Sequence, residues 1–217
     1  MTEQPKMTAL ISSYLNDCHN SAGRPHGHED HVLHLAAKKD YIGDLQRVII
    51  PDDMDVLNKE EETLLHLAAE FEHVEDVRIL LMFRAAVKAD KHGCTPLHSA
   101  AMSITPNALI ARLLVCAAAE RGDNFRLLNE RSNSKAGRNT ALHLAAGNIN
   151  VTADFIEELR DTDPRIQNAD LDAAFQVAAG SSNPHAIIYL LSTFRPTNAG
   201  WDIDTVDKHR PKAHRHW

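Results

Sequence analysis

A seven-residue pattern that recurs along the chain limits the possible folds more than any other feature of the sequence. Its clearest copies read Thr-Leu-Leu-His-Leu-Ala-Ala at 63–69, Thr-Pro-Leu-His-Ser-Ala-Ala at 95–101 and Thr-Ala-Leu-His-Leu-Ala-Ala at 140–146. Less complete copies occupy 31–37 and 173–179. The histidine stands at 34, 66, 98 and 143 and becomes Gln176 in the last copy, so the steps are 32, 32, 45 and 33 residues. Such a period predicts a row of similar units.

Each copy begins with residues that favour the start of a helix. In the best copy, Thr95 is a good N-cap, and Pro96 suits the first helical position, where its missing N–H costs nothing. Leu97, Ala100 and Ala101 then lie on one side of the predicted helix, since residues three and four apart share a face. The alanines are small enough for a neighbouring helix to approach closely. The pattern therefore predicts helices packed on one another.

A period near 33 residues with the motif T-P-L-H-x-A resembles the ankyrin repeat, over roughly residues 26–194. The resemblance implies an all-α ankyrin-repeat solenoid of about five stacked helix-turn-helix units. Residues 1–25 are expected to cap the first unit, and residues 195–217 to form a flexible tail. The 45-residue step indicates an insertion near residues 120–135, where the chain departs most from the regular spacing.

The turns before the first helices differ in one respect. Gly93 supplies the tight turn of the third unit, whereas the corresponding stretch of the second unit, Asn-Lys-Glu-Glu-Glu at 58–62, has no glycine. Because residues with a Cβ rarely adopt a positive φ, the sequence predicts a distorted turn in the second unit.

Histidine is the residue type most suggestive of chemistry in this sequence. The four histidines that recur with the repeat are implied, by the family resemblance, to hydrogen-bond within and between units. His26, His28 and His31 precede His34 in the pattern H-x-H-x-x-H-x-x-H. That spacing is not one of the usual zinc-ligand patterns, so we expect no metal and no other cofactor. A metal-dependent module built on this N-terminal cluster is kept as an alternative.

The sequence contains no motif of a known catalytic centre. It lacks the glycine-rich loops of nucleotide-binding sites, the H-E-x-x-H motif and the G-x-S-x-G motif. Cys18, Cys94 and Cys116 are odd in number and widely spaced, which favours a reducing compartment over a disulfide framework. Cys94 is expected at the surface of a turn, and Cys116 in the core. We therefore expect a non-enzymatic, intracellular protein.

Charge and hydropathy narrow the choice of partners. The formal net charge of −7 argues against general nucleic-acid binding, although a basic tail leaves binding through that tail as an alternative. The basic residues of the tail are Lys208, Arg210, Lys212 and Arg215. No stretch approaches the roughly 18 apolar residues of a membrane span, and the polar first residues do not resemble a signal peptide. We expect no membrane association and a location in the cytoplasm or nucleus.

The resemblance implies binding of a partner protein through the concave face that turn tips and first helices form. The residues predicted to bind are Lys59, Glu60, Glu62, Glu70, Phe71, Lys91, His92, Cys94, Met102, Ser103, Arg138, Asn139 and Asn148. Phe71 and Met102 are the sharpest candidates, either as exposed anchors or tucked against the neighbouring unit. Acidic residues crowd the second unit, which predicts a basic surface on the partner. An inhibitor resembling the ankyrin-repeat regulators that mask a transcription factor is the narrower alternative.

Overall fold

The computed structural model describes residues 32–40 and 54–193, together with the single residues Ala9 and Ile42. Several predictions lie outside these described residues. They are the N-terminal cap, apart from Ala9, the second helix of the first unit, the histidines at 26, 28 and 31, Cys18, and the basic tail.

The described part of the chain is helical and contains no strand, apart from one isolated bridge between Gln167 and Ala173. Its ten α-helices are α1 (Val32–Lys38), α2 (Leu64–Glu70), α3 (Val74–Met82), α4 (Pro96–Met102), α5 (Ala108–Glu120), α6 (Asn124–Asn129), α7 (Ala141–Gly147), α8 (Ala153–Glu157), α9 (Ala174–Ser181) and α10 (Pro184–Thr193). A short 3₁₀ helix, Ser134–Ala136, precedes α7.

The helices form two layers. The first helices of successive units, α1, α2, α4, α7 and α9, pack on one another in chain order. The second helices α3, α5, α8 and α10 form a parallel row behind them. Each unit therefore contacts its neighbours in sequence, which confirms the prediction of an all-α solenoid of stacked helix-turn-helix units.

One continuous hydrophobic cluster runs through the stack. Leu65, Leu97 and Leu142, which occupy the same place in three units, are each at most 1% exposed and belong to this cluster. The alanines of the repeated motif, such as Ala68 and Ala100, are buried between adjacent first helices. Because a unit cannot cover this apolar surface alone, its stability depends on the neighbouring units.

The repeated threonine and histidine form the same capping arrangement in three units. In α4, the backbone N–H of Thr95 donates to His98 Nδ1 at 3.1 Å, as does the Thr95 hydroxyl at 2.9 Å. With Nδ1 accepting, the ring carries its proton on Nε2, which donates to the carbonyl oxygen of Asn139 at 3.0 Å. Histidine thus replaces the glutamate of a capping box and also links two units.

The other repeat histidines make equivalent links. His66 Nε2 donates to the carbonyl of Cys94 at 3.0 Å, and His143 Nε2 to the carbonyl of Asp172 at 3.0 Å. His34 Nε2 lies 3.2 Å from the carbonyl oxygen of Glu62. These histidines are buried and bonded, so they are part of the fold and not a catalytic centre.

Five-residue turns precede three of the first helices, and an asparagine or aspartate closes each of them. The Oδ1 atom of Asn58 accepts from the N–H groups of Glu60 and Glu62, both at 2.9 Å. Asp90 and Asn168 do the same in their own turns. This Asx bonding fixes the turn independently of its glycine content.

The expected distortion of the second unit's turn is wrong. Glu61 adopts φ 59°, close to the 74° of Gly93, and the turn around it has the same hydrogen bonds. The two bonds to Asn58 Oδ1 hold the backbone in the left-handed conformation although Glu61 has a Cβ.

Replacing Glu61 by glycine is expected to stabilise the protein by about 0.5–1 kcal/mol. Glycine removes the left-handed strain of about 1–2 kcal/mol, and its larger entropy in the unfolded chain offsets part of the gain. Urea denaturation measures the change in the free energy of unfolding. Glu61→Ala keeps the Cβ and should give no gain. A destabilised Glu61→Gly variant would show that the turn carries no strain.

The 45-residue step between His98 and His143 is distributed over several elements. Helix α5 has 13 residues, whereas the equivalent helix α3 has 9. Helix α6 is additional to the repeat pattern, and the turn before α7 is lengthened by the 3₁₀ helix. The predicted stretch at 120–135 therefore contains a helix whose Leu127 and Leu128 reach the core.

Candidate functional site

An exposed row of apolar side chains crosses the second to fourth units where the first helices end. Phe71 is 46% exposed and Met102 is 52% exposed, so neither is tucked away completely. Ile104, at 81%, and Ile149, at 65%, extend the row through the loops that follow α4 and α7. We call Phe71, Met102, Ile104 and Ile149 the apolar row. Exposed apolar side chains that are neighbours in space mark interaction sites more often than scattered ones do.

Hydrogen bonds hold the loops of the apolar row against one another. Asn150 Nδ2 donates to the carbonyl of Ile104 at 2.8 Å, and Asn148 Nδ2 to the carbonyl of Ser103 at 2.8 Å. The Glu72 carboxylate accepts from the N–H of Thr105 at 3.0 Å and from two hydroxyl groups of the same loop. The row is therefore mounted on a connected backbone that does not have to be ordered upon binding.

The turn tips are also joined from unit to unit. The N–H of Lys91 donates to the carbonyl of Glu60 at 3.1 Å, and the N–H of Asn133 donates to the carbonyl of His92 at 2.7 Å. The N–H of Ala169 donates to the carbonyl of Gly137 at 2.8 Å. Tips from the second to the fifth unit consequently form one bonded edge beside the first helices.

The structure separates the predicted binding residues into accessible and inaccessible groups. The side chains at the surface are Lys59, Glu60, Glu70, Phe71, Lys91, His92, Met102 and Arg138. Glu62, Asn139 and Asn148 are partly exposed, and each bonds to its own or a neighbouring turn or loop. Cys94 and Ser103 are 8% and 3% exposed, so the structure gives their side chains no surface for a partner.

Most acidic groups of the second unit are already paired within the protein. Glu60 lies 2.5 Å from Lys91 Nζ and 3.3 Å from His92 Nε2, and the hydrogen bond from Lys91, then that from His92, lowers its pKa. Asp76 is buried and accepts from the N–H of Ile42. Glu62, Glu72 and Glu75 bond to Asn58, to Ser103 with Thr105, and to Arg78, respectively. Among the acidic residues of the second unit, only Glu61 and Glu70 have no such bond from their carboxylates in the described part of the chain.

Glu70 differs from its neighbours because it is partly desolvated. Burial raises the pKa of its carboxyl group, and the nearby negative charge of Glu62 raises it further. The carboxyl groups of Glu61 and Glu70 offer a basic partner less attraction than the seven acidic residues of the second unit would if none were bonded within the protein. Those seven are Glu60, Glu61, Glu62, Glu70, Glu72, Glu75 and Asp76.

Sequence reasoning missed Ile104 and Ile149, which are the most exposed members of the apolar row. Both lie in loops that have no counterpart in the seven-residue pattern. The sequence feature that could have identified them is an isolated isoleucine between polar residues, in Ser-Ile-Thr and Asn-Ile-Asn. Such a context favours exposure, because no apolar neighbours accompany the side chain into a core.

The two cysteines in the described chain are placed in the reverse of the predicted way. Cys94 is buried under its turn, where its N–H donates to Asp90 and its carbonyl accepts from His66. Cys116 is exposed, because the buried face of α5 is formed by Ile110, Ala111, Leu114 and Ala118. Residue 116 is two positions from Leu114, which places it on the opposite side of the helix.

We expect the two thiols to react at very different rates. Burial raises the pKa of the Cys94 thiol to about 11, so little thiolate exists near neutral pH. In a Cys18→Ser background, a maleimide or disulfide reagent should modify Cys116 at least about tenfold faster than Cys94. Adding Cys116→Ser should abolish the fast phase. A fast thiol that survives in this variant would contradict the buried position of Cys94.

The structure gives the class of protein, and comparison with known proteins gives the type of its repeats. A row of helix pairs with bonded turn tips is a helical repeat solenoid, and its repeats are of one kind. Residues 33–124 match the family of ankyrin repeats in three copies, which confirms the predicted resemblance over that part of the chain. No curated protein matches the chain.

Ankyrin repeats are in general protein–protein interaction modules, and the family is typically non-enzymatic. In the described residues, no helix is long and apolar enough to cross a membrane. Within the same ranges, no group of three or more His, Cys, Asp or Glu side chains is placed to hold a metal ion. The histidines at 26, 28 and 31 lie outside those ranges, so the alternative of an N-terminal metal site stays a prediction.

Proposed function

We propose that this chain binds a partner protein through the face formed by its turn tips, its first helices and the loops that follow those helices, with the apolar row as the main contact. The observation that carries the proposal is the exposure of Met102, at the end of α4, and of Ile104 and Ile149, on loops that are hydrogen-bonded to one another. Burying these side chains against a partner would contribute about 1.5–3 kcal/mol for each one that becomes fully covered.

The mechanism is preorganisation. The bonded turn tips and the bonded loops already hold the backbone in place, so binding has to order only side chains. The entropy lost on association is correspondingly small, and more of the contact energy appears as affinity. A rigid first-helix face suits a partner with a matching surface better than it suits a wide range of shapes.

Charge plays a smaller part in this proposal than the sequence suggested. Because Glu60, Glu62 and Glu72 are bonded within the protein, an apolar contact is a better description of the second unit than an acidic patch. A basic partner surface stays a prediction, and association that slows as salt is raised would support it. The narrower hypothesis of an inhibitor that masks a transcription factor also stays a prediction.

We also propose that the partner is intracellular. Cys94 and Cys116 are both free, and no disulfide is needed to hold the described repeats together. Fractionation of cells that express the tagged full chain, followed by imaging in whole cells, tests this location.

The test of the proposed surface compares capture by the full chain with capture by Met102→Gln/Ile104→Gln. Both side chains are more than half exposed, so the double variant should keep its melting temperature. We expect the proteins captured from cytoplasmic and nuclear extracts to be lost or to fall about tenfold. Phe71 is left intact because its ring stacks on His73, which bonds to the first unit.

Met82→Gln is the matched control. Met82 is 76% exposed at the end of α3, in the layer of second helices. Its replacement removes a similar apolar side chain from the opposite layer and should leave capture unchanged. Equal capture by wild type and by the Met102→Gln/Ile104→Gln variant would exclude the apolar row as the binding surface.

A further inference from the structure

A groove lies between the additional helix α6 and the widened turn at residues 132–139. Its volume is about 630 Å³, within the range of roughly 300–1,000 Å³ in which proteins hold small ligands and short segments. The side chains that line it and carry chemistry are Phe125, Arg126, Glu130, Arg131 and Arg138. We call this feature the arginine groove.

Arg131 and Arg138 are brought together by one closed turn. Ser132, next to Arg131, is buried, and its N–H donates to the carbonyl of Asn139 at 2.9 Å. The N–H of Asn139 donates back to Ser132 Oγ at 2.9 Å. The N–H of Arg138 donates to the carbonyl of Asn133 at 3.1 Å, which fixes its backbone at φ 52°. The two arginines therefore start from a backbone that is already fixed.

Phe125 is held on the other wall of the groove. Its ring is 69% exposed, while Leu127 and Leu128 of the same helix are buried and anchor α6 to the core. Asn129 Nδ2 donates to the carbonyl of Phe125 at 2.8 Å, and Asn129 Oδ1 accepts from the N–H of Asp163 at 2.8 Å. An exposed aromatic ring thus extends from a fixed backbone beside cationic groups.

The charge of the groove is opposite to that of the whole chain. Three arginines and one glutamate line it, in a protein of net charge −7. Arg126 Nε forms an ion pair with Glu130 Oε2 at 3.4 Å, but Arg131 and Arg138 make no ion pair within the described residues. Asp163, whose N–H donates to the groove residue Asn129, has its Oδ1 atom bonded to the N–H of Arg165. Two guanidinium groups remain available, and their planar donors match carboxylates.

We propose that the arginine groove binds a short acidic segment of the partner protein. Carboxylates of that segment pair with Arg131 and Arg138, while an apolar side chain next to them covers Phe125. This inference rests on the proposed function and names the chemistry of one part of the partner. A protein segment fits better than a nucleic acid, because a single aromatic ring offers no series of stacking sites and the overall charge repels phosphates.

The test uses the full chain and a fluorescein-labelled peptide, Gly-Asp-Glu-Leu-Asp-Glu-Gly, with fluorescence anisotropy at low salt. We expect saturable binding that Arg131→Gln/Arg138→Gln weakens about tenfold or more. Phe125→Ala should also weaken binding of this peptide, because the apolar contact with its leucine is lost. The neutral peptide Gly-Asn-Gln-Leu-Asn-Gln-Gly should not bind.

Arg84→Gln/Arg121→Gln is the matched control, since it removes the same charge from exposed arginines near the ends of the second helices α3 and α5. Peptide affinity should survive in this variant. An equal loss in the control variant, or no binding of the acidic peptide to the wild type, would overturn the assignment. Tighter, arginine-dependent binding of a single-stranded oligouridine would also overturn it, in favour of nucleic acid.

Different experimental results would contradict the proposed binding surface and the arginine groove. Loss of partner capture in Met102→Gln/Ile104→Gln together with no peptide binding would leave the proposed function in place and remove the groove. Peptide binding with unchanged partner capture in that variant would retain the groove and remove the apolar row.

Discussion

Gly93→Ala is expected to lower the free energy of unfolding by about 2–4 kcal/mol, because it adds a methyl group where the backbone has no room for one. Gly93 has φ +74°, which costs any residue with a Cβ about 1–2 kcal/mol. A Cβ at this position would also lie 2.9 Å from the backbone nitrogen of Asn133 and 3.3 Å from the Cα of Ser132. Both contacts are with backbone, which cannot move aside without breaking the bond from Asn133 to His92.

Gly122→Ala measures the conformational contribution alone. Gly122 has φ +77°, nearly the same as Gly93, but a Cβ there meets nothing within 4 Å. We expect it to cost only the conformational part, about 0.5–1 kcal/mol, because the lower entropy of the unfolded chain offsets part of the left-handed strain, as at Glu61. Urea denaturation of both variants, with the slope of the transition compared as a check on the two-state assumption, measures the difference. Equal losses would show that the turn tips of the third and fourth units are not in close contact.

The second large effect is a loss of stability in mild acid. Burial lowers the pKa of His98 to about 4 from the usual 6.5, since desolvation outweighs the stabilising carbonyls of Asn139 and Glu130 and the charge of Asp90. Burial also lowers the pKa values of His66 and His143. Protonation would place a hydrogen on Nδ1, the atom that accepts the N–H of the capping threonine.

The direction of this pH dependence follows from the number of protons that the folded and the unfolded chain bind. Between about pH 6.5 and pH 4 the unfolded chain binds a proton at residue 98 and the folded chain does not. The free energy of unfolding therefore falls as the pH is lowered through this window. A shift from 6.5 to about 4 corresponds to roughly 3 kcal/mol, fully present above pH 6.5 and lost by about pH 4. His66 and His143 act in the same direction. Thermal or urea unfolding between pH 7 and 4 measures the slope.

Gln176 of the fifth unit supplies the control for this prediction. Its Oε1 atom accepts the N–H of Ala173 at 2.7 Å, so glutamine can take the capping role without titrating. His98→Gln is expected to be less stable at pH 7, because its shorter side chain leaves the link to Asn139 unmade. Its stability should depend less steeply on pH than that of the wild type. An unchanged slope would mean that His98 does not cause the acid sensitivity.

Much of the fold could be predicted because the same helix-start residues and buried apolar positions recur in several units. Thr95 and Pro96 predict the start of α4, and Leu97 with Ala100 and Ala101 predicts its buried face. Each of these residues acts within one helical turn of its neighbours, so no knowledge of distant contacts is needed. The spacing of the copies then indicates that the helices stack in order.

The candidate site could be predicted only in part. Phe71 and Met102 were found because they follow the repeated motif at a place that the fold exposes. Cys94 and Cys116 were interchanged, since a helix such as α5, with apolar residues on all sides, does not indicate which face is buried. The burial of Cys94 follows from its bonds to Asp90 and His66, and His66 lies 28 residues away.

The sequence by itself determined the helices, their capping residues and the order of the units, because those features depend on residues within a few positions of one another. Only the tertiary structure decided which acidic groups are bonded within the protein, that Glu61 can take the place of a glycine, and that the loop of Ile104 is bonded to the loop of Ile149. It also brought Arg131, Arg138 and Phe125 to one groove. These outcomes depend on hydrogen bonds and packing between units, which form only once the stack has closed around its common core.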